Sequence, residues 1–280
     1  MNSYCEFANK NTQIKSNEKV VEITNKTPLK TKITHINLVD NKDGKNKRKS
    51  KLYTNIFFEE FSYFSNRNFD YIVSTLILEI KRFIKLLNFK KKNLTYFIVG
   101  LGNNEIEADK LGYLVTKKII STNIKSNKNK FNDIQLGKVF SLSPSTANNN
   151  GVYTVDIIKG LNEYFKPDLI ILIDSMSCKN IEILAKAIQL SNVGFTPGCE
   201  INNKQPSITT GFLNTPIITI GCPLVCDLIN INKEYKTSKI LTIKDINFAV
   251  NKFATIIAFA LNKIIHKSLK DEEIIFLMKD

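Results

Sequence analysis

The sequence predicts an α/β fold: a three-layer αβα sandwich on a largely parallel twisted sheet, with an N-terminal β-hairpin. Three observations carry this. Continuous apolar runs rich in β-branched residues, such as Thr95-Tyr-Phe-Ile-Val-Gly-Leu-Gly-Asn103 and Asp168-Leu-Ile-Ile-Leu-Ile-Asp174, read as strands buried on both faces. These runs alternate with stretches of helical period, as in a parallel sheet covered on both sides. A length of 280 residues at 43% hydrophobic and 24% charged supplies a sizeable core.

Each element has its own signal. Residues 1–20 are polar and read as a flexible arm, leaving 21–280 as a single domain. Residues 31–39 and 51–58 flank a basic loop at 40–51 and read as a hairpin, with Asp43-Gly44 as turn signal. Asp70 can cap a long helix with Ile72, Leu76, Ile80, Phe83, Ile84 and Leu87 on one face. A strand at 95–101 and a helix over 109–120 follow. Residues 121–137 are rich in Asn and Lys and show no period, and 139–142 form a short strand before Pro144. A helix over 151–165 buries Val155, Ile158, Leu161 and Phe165, Pro167 ends it, and a strand runs over 168–173. Residues 182–190 read as a helix, and Pro216-Ile-Ile-Thr-Ile-Gly221 as a third buried strand. Thr242-Ile-Lys-Asp245 resembles a capping box opening a last helix with Val250, Phe253, Ile257 and Ile264 inside.

The formal net charge of +14 admits a nucleic-acid or acidic-protein partner. The basic residues are dispersed, however, apart from the run at 42–51, so a solvated loop is the simpler reading and nucleic acid is not the expected partner. The start of the chain has no apolar signal region, and the stretch at 253–261 is too short to span a bilayer, so no membrane association is expected. Five cysteines without framework spacing suit a reducing cytoplasm. Cys222 and Cys226 lack a nearby His, and neither a metal nor an organic cofactor is expected.

The chemistry narrows by elimination. The two histidines, His35 and His266, lie far from any nucleophile motif, and no Gly-x-Ser-x-Gly elbow occurs. Gly100-Leu-Gly102-Asn-Asn-Glu105 places an acid where a dinucleotide site needs its third glycine. What remains is the pair Asp109 and Asp174, each following an apolar strand, where open α/β sheets bind ligands. Paired carboxylates can do acid–base chemistry. Asp is also a favoured helix N-cap, and spacing alone does not choose between the two readings.

Several blocks together resemble the germination (spore) protease family. They are Val99-Gly-Leu-Gly-Asn103 with Ala108-Asp109-Lys-Leu-Gly112, Ser141-Leu-Ser-Pro144, and Lys166-Pro-Asp-Leu-Ile-Ile-Leu-Ile-Asp174-Ser175-Met176. Gln189-Leu-Ser-Asn-Val-Gly194 and Asn214-Thr-Pro-Ile-Ile-Thr-Ile-Gly-Cys-Pro223 follow in the family's order, so the likeness covers roughly residues 95–230. The resemblance implies an aspartic-type endopeptidase that degrades small acid-soluble spore proteins during germination. It also implies a fold shared with hydrogenase-maturation endopeptidases, a homotetramer in the forespore or spore core, and a zymogen whose N-terminal arm is a pro-segment. The family's two essential acids fall on Asp109 and Asp174. The backbone N–H groups around Gly102 and Asn103 are candidates for holding an oxyanion, and Ser143 and Ser175 for lining the pocket. For all four, turn or capping roles compete. Glu6-Phe7-Ala8 resembles the family's cleavage motif and suggests self-processing between Glu6 and Phe7.

The family's glycine-rich loop reads here as Pro197-Gly198-Cys-Glu-Ile-Asn-Asn203, with bulkier residues and a charge at Glu200. A diverged or inactive paralogue acting as a basic protein- or nucleic-acid-binding module is therefore an alternative. A hydrogenase-maturation-type endopeptidase would bring a His beside two acids, and a peptidyl-tRNA hydrolase a His after the Gly-Leu-Gly-Asn turn. No His lies between 36 and 265.

Overall fold

Nine strands join in one mixed sheet in the computed structural model, which describes residues 18–26, 31–40, 50–58, 66–123, 135–144, 151–196, 206–227 and 240–278. Its parallel centre is β5 (Lys138–Leu142), β4 (Thr95–Gly100), β6 (Leu169–Cys178) and β8 (Ile217–Asp227), in that spatial order. The apolar runs at 95–100 and 169–173 occupy the middle of this sheet, buried on both faces, as their composition demands. Beyond β8 the sheet turns antiparallel. β7 (Ala187–Ser191) lies between β8 and β3 (Lys51–Phe58), followed by β2 (Thr31–Asp40) and β1 (Glu18–Lys26). A two-residue strand, β9 (Ile240–Leu241), pairs with the end of β8.

The three layers follow from side-chain alternation. Ile171 and Ile173 of β6 and Ile218 and Ile220 of β8 point into a core shared with α1 (Asn66–Leu86), α2 (Leu111–Lys118), α5 (Ile246–Ile265) and α6 (Asp271–Leu277). Ile170 and Leu172 point the other way, against Val155 and Ile158 of α3 (Thr154–Phe165) and against Leu213 of α4 (Thr210–Leu213). α5 is apolar nearly all round because it is a core helix covering the sheet.

The hairpin and the buried strands lie where the sequence predicts them, and several details differ. The segment predicted as helix at 182–190 is a 3-10 turn at Ile181–Ile183 followed by β7. Good helix formers there are overridden: Ala185 takes a left-handed φ of 54°, and β7 is paired along both edges. β1 carries no strong sequence signal and forms by pairing with β2. α1 starts at Asn66, so Asp70 sits inside it rather than at its cap. The capping box at 242–245 does not form: the Thr242 hydroxyl donates to the Leu224 carbonyl at 2.7 Å, and Asp245 makes no side-chain cap. β6 and β8 both run on past their apolar cores, to Cys178 and Asp227.

Two buried polar residues, Asn262 of α5 and His266 just past its end, hold the chain that leaves α2. Asn262 accepts from the Ile120 N–H at 3.0 Å and donates to the Lys118 carbonyl at 2.8 Å. His266 Nε2 donates to the Ile120 carbonyl at 2.9 Å, and its Nδ1 is buried without a partner. Burial pulls the His266 imidazole down to about 4, against the hydrogen bond to Ile120. The folded state thus favours the neutral ring. This contribution is complete above the unfolded value of 6.5 and is lost as pH falls towards about 4, by up to about 3 kcal/mol. Urea denaturation should show His266→Gln losing less stability than the parent chain between pH 7 and 4.5, since glutamine keeps the donor and does not titrate.

Candidate active site

The site forms where β4 ends. β4 pairs with β6 as far as Gly100 opposite Ile173, and the Leu101 N–H adds one more bond to the Ile173 carbonyl at 2.8 Å. Asp174 is the next residue of β6, placed where the strand loses β4 and keeps only β8 as neighbour. It is buried, with its Oδ1 accepting from the Ser175 N–H at 2.9 Å. Alternation puts Asp174 with Leu172 and Met176 on the α3 side of β6, and Ser175 with Ile173 on the opposite side. The Ser175 hydroxyl is buried without a partner.

The chain leaving β4 folds back as a closed loop that presents Asp109. The Asn103 N–H donates to Asp109 Oδ2 at 2.7 Å. Asn103 Oδ1 accepts from the Glu105 N–H at 2.9 Å, an Asx turn. The Ile106 carbonyl accepts from the Asp109 N–H at 2.9 Å, opening a 3-10 turn at Glu107–Asp109 that packs against β6, β8 and α5. Gly102 permits this at φ +101°, where an added Cβ would stand 2.0 Å from the Asp109 carbonyl oxygen. Lys110 forms an ion pair with Glu107.

These contacts argue against helix capping. Asp109 precedes α2, but the N-cap position is Lys110, and no side chain caps that helix. Asp174 lies within a strand. Burial raises the Asp109 carboxyl from the ordinary 3.8 to about 6, with the Asn103 N–H pulling it back down. Burying an ionised carboxylate penalises the folded state. That penalty is absent below 3.8 and complete above about 6, and amounts to as much as about 3 kcal/mol. Asp109→Asn keeps an acceptor for the Asn103 N–H and removes the penalty. Thermal melts should show the variant more stable than the parent at pH 7.5, with the difference vanishing near pH 4.

Ser143 follows directly on β5, whose Leu142 is opposite Val99 of β4, so it lies at the same sheet end as Asp109 and is half-buried. A feature that sequence reasoning missed is the Gly100–Gly112 contact. A Cβ on Gly100 would meet the Gly112 carbonyl oxygen at 2.1 Å, so α2 rests backbone-on-backbone on the end of β4. The only sequence trace is a glycine one residue into an otherwise apolar helix start. Among the described residues, no group of three His, Cys, Asp or Glu side chains is placed to hold a metal ion. Glu6, Phe7, the basic run at 42–49 and the loop at 197–203 lie outside the described residues.

The family model and the curated relatives agree on one family. The model of the germination protease family matches residues 3–238. Germination protease of Caldanaerobacter subterraneus subsp. tengcongensis is 36% identical over 145 residues, covering 50% of this chain and 44% of that protein. The protein of the same name from Clostridium perfringens strain 13 is 28% identical over 205 residues, covering 72% and 62%. The chain thus spans about half the length of the curated relatives it matches. Among solved structures, the crystal structure of a [NiFe] hydrogenase maturation protease HycI from Thermococcus kodakarensis KOD1 aligns with a TM-score of 0.37 at 17% identity. The alignment covers 61% of this chain and 94% of that one.

Proposed function

This chain belongs to the germination protease family, and on that premise we propose that it is an endopeptidase cutting small acid-soluble spore proteins through water activated by Asp109 and Asp174. The observation that carries the reading is a carboxyl raised to about 6, held by a closed loop at the end of β4 beside the strand that bears a second, buried carboxyl. Burial keeps the Asp109 carboxyl protonated up to about 6, so it can carry a proton near working pH. Asp109 is assigned as the acid: it donates its proton to the scissile carbonyl or the leaving amine. Asp174 is assigned as the base: its carboxylate draws a proton from the attacking water. The Asn103 N–H is engaged by Asp109, so oxyanion stabilisation falls to the remaining backbone donors of the turn. The proposal extends to self-processing between Glu6 and Phe7, a homotetramer and action in the cytoplasm of the spore core.

The assignment fixes a pH dependence. The productive form has Asp109 protonated, so kcat/KM on a peptide from a small acid-soluble spore protein should fall as pH rises above about 6. A profile flat from pH 5 to 8 would remove Asp109 from the role of acid.

A further inference from the structure

We propose that Cys178 and Cys226 form a reversible disulfide that ties the end of β6 to the end of β8. The two residues are direct register partners on neighbouring strands. An irregularity between Met176 and Ser177 sets this register: Met176 is opposite Pro223 and Ser177 opposite Val225, which brings Cys178 level with Cys226. Adjacent strands lie about 4.8 Å apart, inside the roughly 4.4–6.8 Å range of Cα separations a disulfide bridges. Both side chains belong to the apolar cluster on the α3 side of the sheet, so they share a face. The Cys226 sulfur lies near enough to raise the Cys178 thiol, and the Cys226 thiol donates to the Asp227 carbonyl at 3.9 Å. Cys222 is buried in the cluster on the other side of the sheet and is excluded from the pair.

The oxidant is a small hydroperoxide, since both thiols are buried and a bulky disulfide would not reach them. One thiolate attacks the peroxide O–O bond to give a sulfenic acid, releasing hydroxide, which takes up a proton to become water. The second thiol then displaces the sulfenic hydroxyl as water, closing the S–S bond. Two thiols and one hydrogen peroxide thus give one disulfide and two waters. Burial and then the neighbouring Cys226 push the Cys178 thiol up to about 12, so the reaction is slow at neutral pH and quickens as pH rises. Asp174 sits four positions before Cys178 on the same strand and face, with the irregularity between them. The bridge therefore removes sliding freedom just beyond the candidate site. That last consequence rests on the peptidase reading; the bond itself does not.

The test treats the full chain with hydrogen peroxide, alkylates remaining thiols in denaturant, and maps the peptides by mass spectrometry. The expected result is a Cys178–Cys226 crosslinked peptide, Cys222 alkylated, reversal by dithiothreitol, and a Tm several degrees higher in the oxidised form. Cys226→Ala should show neither crosslink nor shift. Recovery of Cys178 and Cys226 alkylated, overoxidised or paired elsewhere overturns the proposal. Absence of peptidase activity in oxidised and reduced protein alike would count against the roles of Asp109 and Asp174 and leave the disulfide standing.

Discussion

Asp109→Asn and Asp174→Asn are each expected to lower kcat/KM on a small acid-soluble spore protein by about 10²–10⁴-fold. Asparagine has the shape of the protonated acid and retains an acceptor for the N–H that each carboxylate engages, from Asn103 and from Ser175 respectively. It cannot give or take the catalytic proton. The loss should therefore appear in kcat with little change in KM, and in a chain that still folds. Asp109→Asn carries its own control, because the same substitution should stabilise the protein at pH 7.5. Product peptides counted by mass spectrometry decide the matter. Either folded variant cleaving at the parent rate would end that residue's catalytic role.

Gly102→Ala should cost more than about 3 kcal/mol of stability and abolish cleavage. At φ +101° a side chain is strained whatever the space, and here its Cβ would meet the Asp109 carbonyl oxygen at 2.0 Å. The obstacle is backbone, so relief requires opening the loop that aims the Asp109 carboxyl. Gly160 makes the contrast. It lies inside α3, and a Cβ there meets nothing within 4 Å, so Gly160→Ala should stabilise by about 0.5–1 kcal/mol with activity unchanged. Parallel urea titrations of the two variants test both statements. Equal midpoints would refute the account of the turn.

The parts of the fold legible in the sequence are those whose signal is local. Ile170–Ile173 and Ile217–Ile220 can only be strands buried on both faces, and both acids were found because they follow such strands. Signals that depend on distant partners were misread. Ala187–Ser191 has the composition of a helix and becomes a strand because β3 and β8 offer hydrogen bonds along both its edges. Polar residues at the end of β6 (Asp174, Ser175, Ser177) and the breakers Gly221 and Pro223 in β8 hide the length of the two strands. At the site, sequence left Asp109 poised between cap and catalyst. The Asn103–Asp109 bond and the Asn103 turn are visible only once the loop is closed. The Gly100–Gly112 approach left only the glycine near the start of α2 as a trace, because close packing of two backbones leaves no apolar pattern.

The insertion of β7 between two distant parts of the chain has a consequence for biosynthesis. Asn55 on β3 and Gln189 on β7 are hydrogen-bonded at 2.6 Å across 134 positions of sequence. A ribosome adding about 5–20 residues per second needs roughly 7–27 s to cover that interval. A hairpin formed before β7 emerges would therefore present one open edge over that interval, an edge to which a neighbouring copy could add a strand.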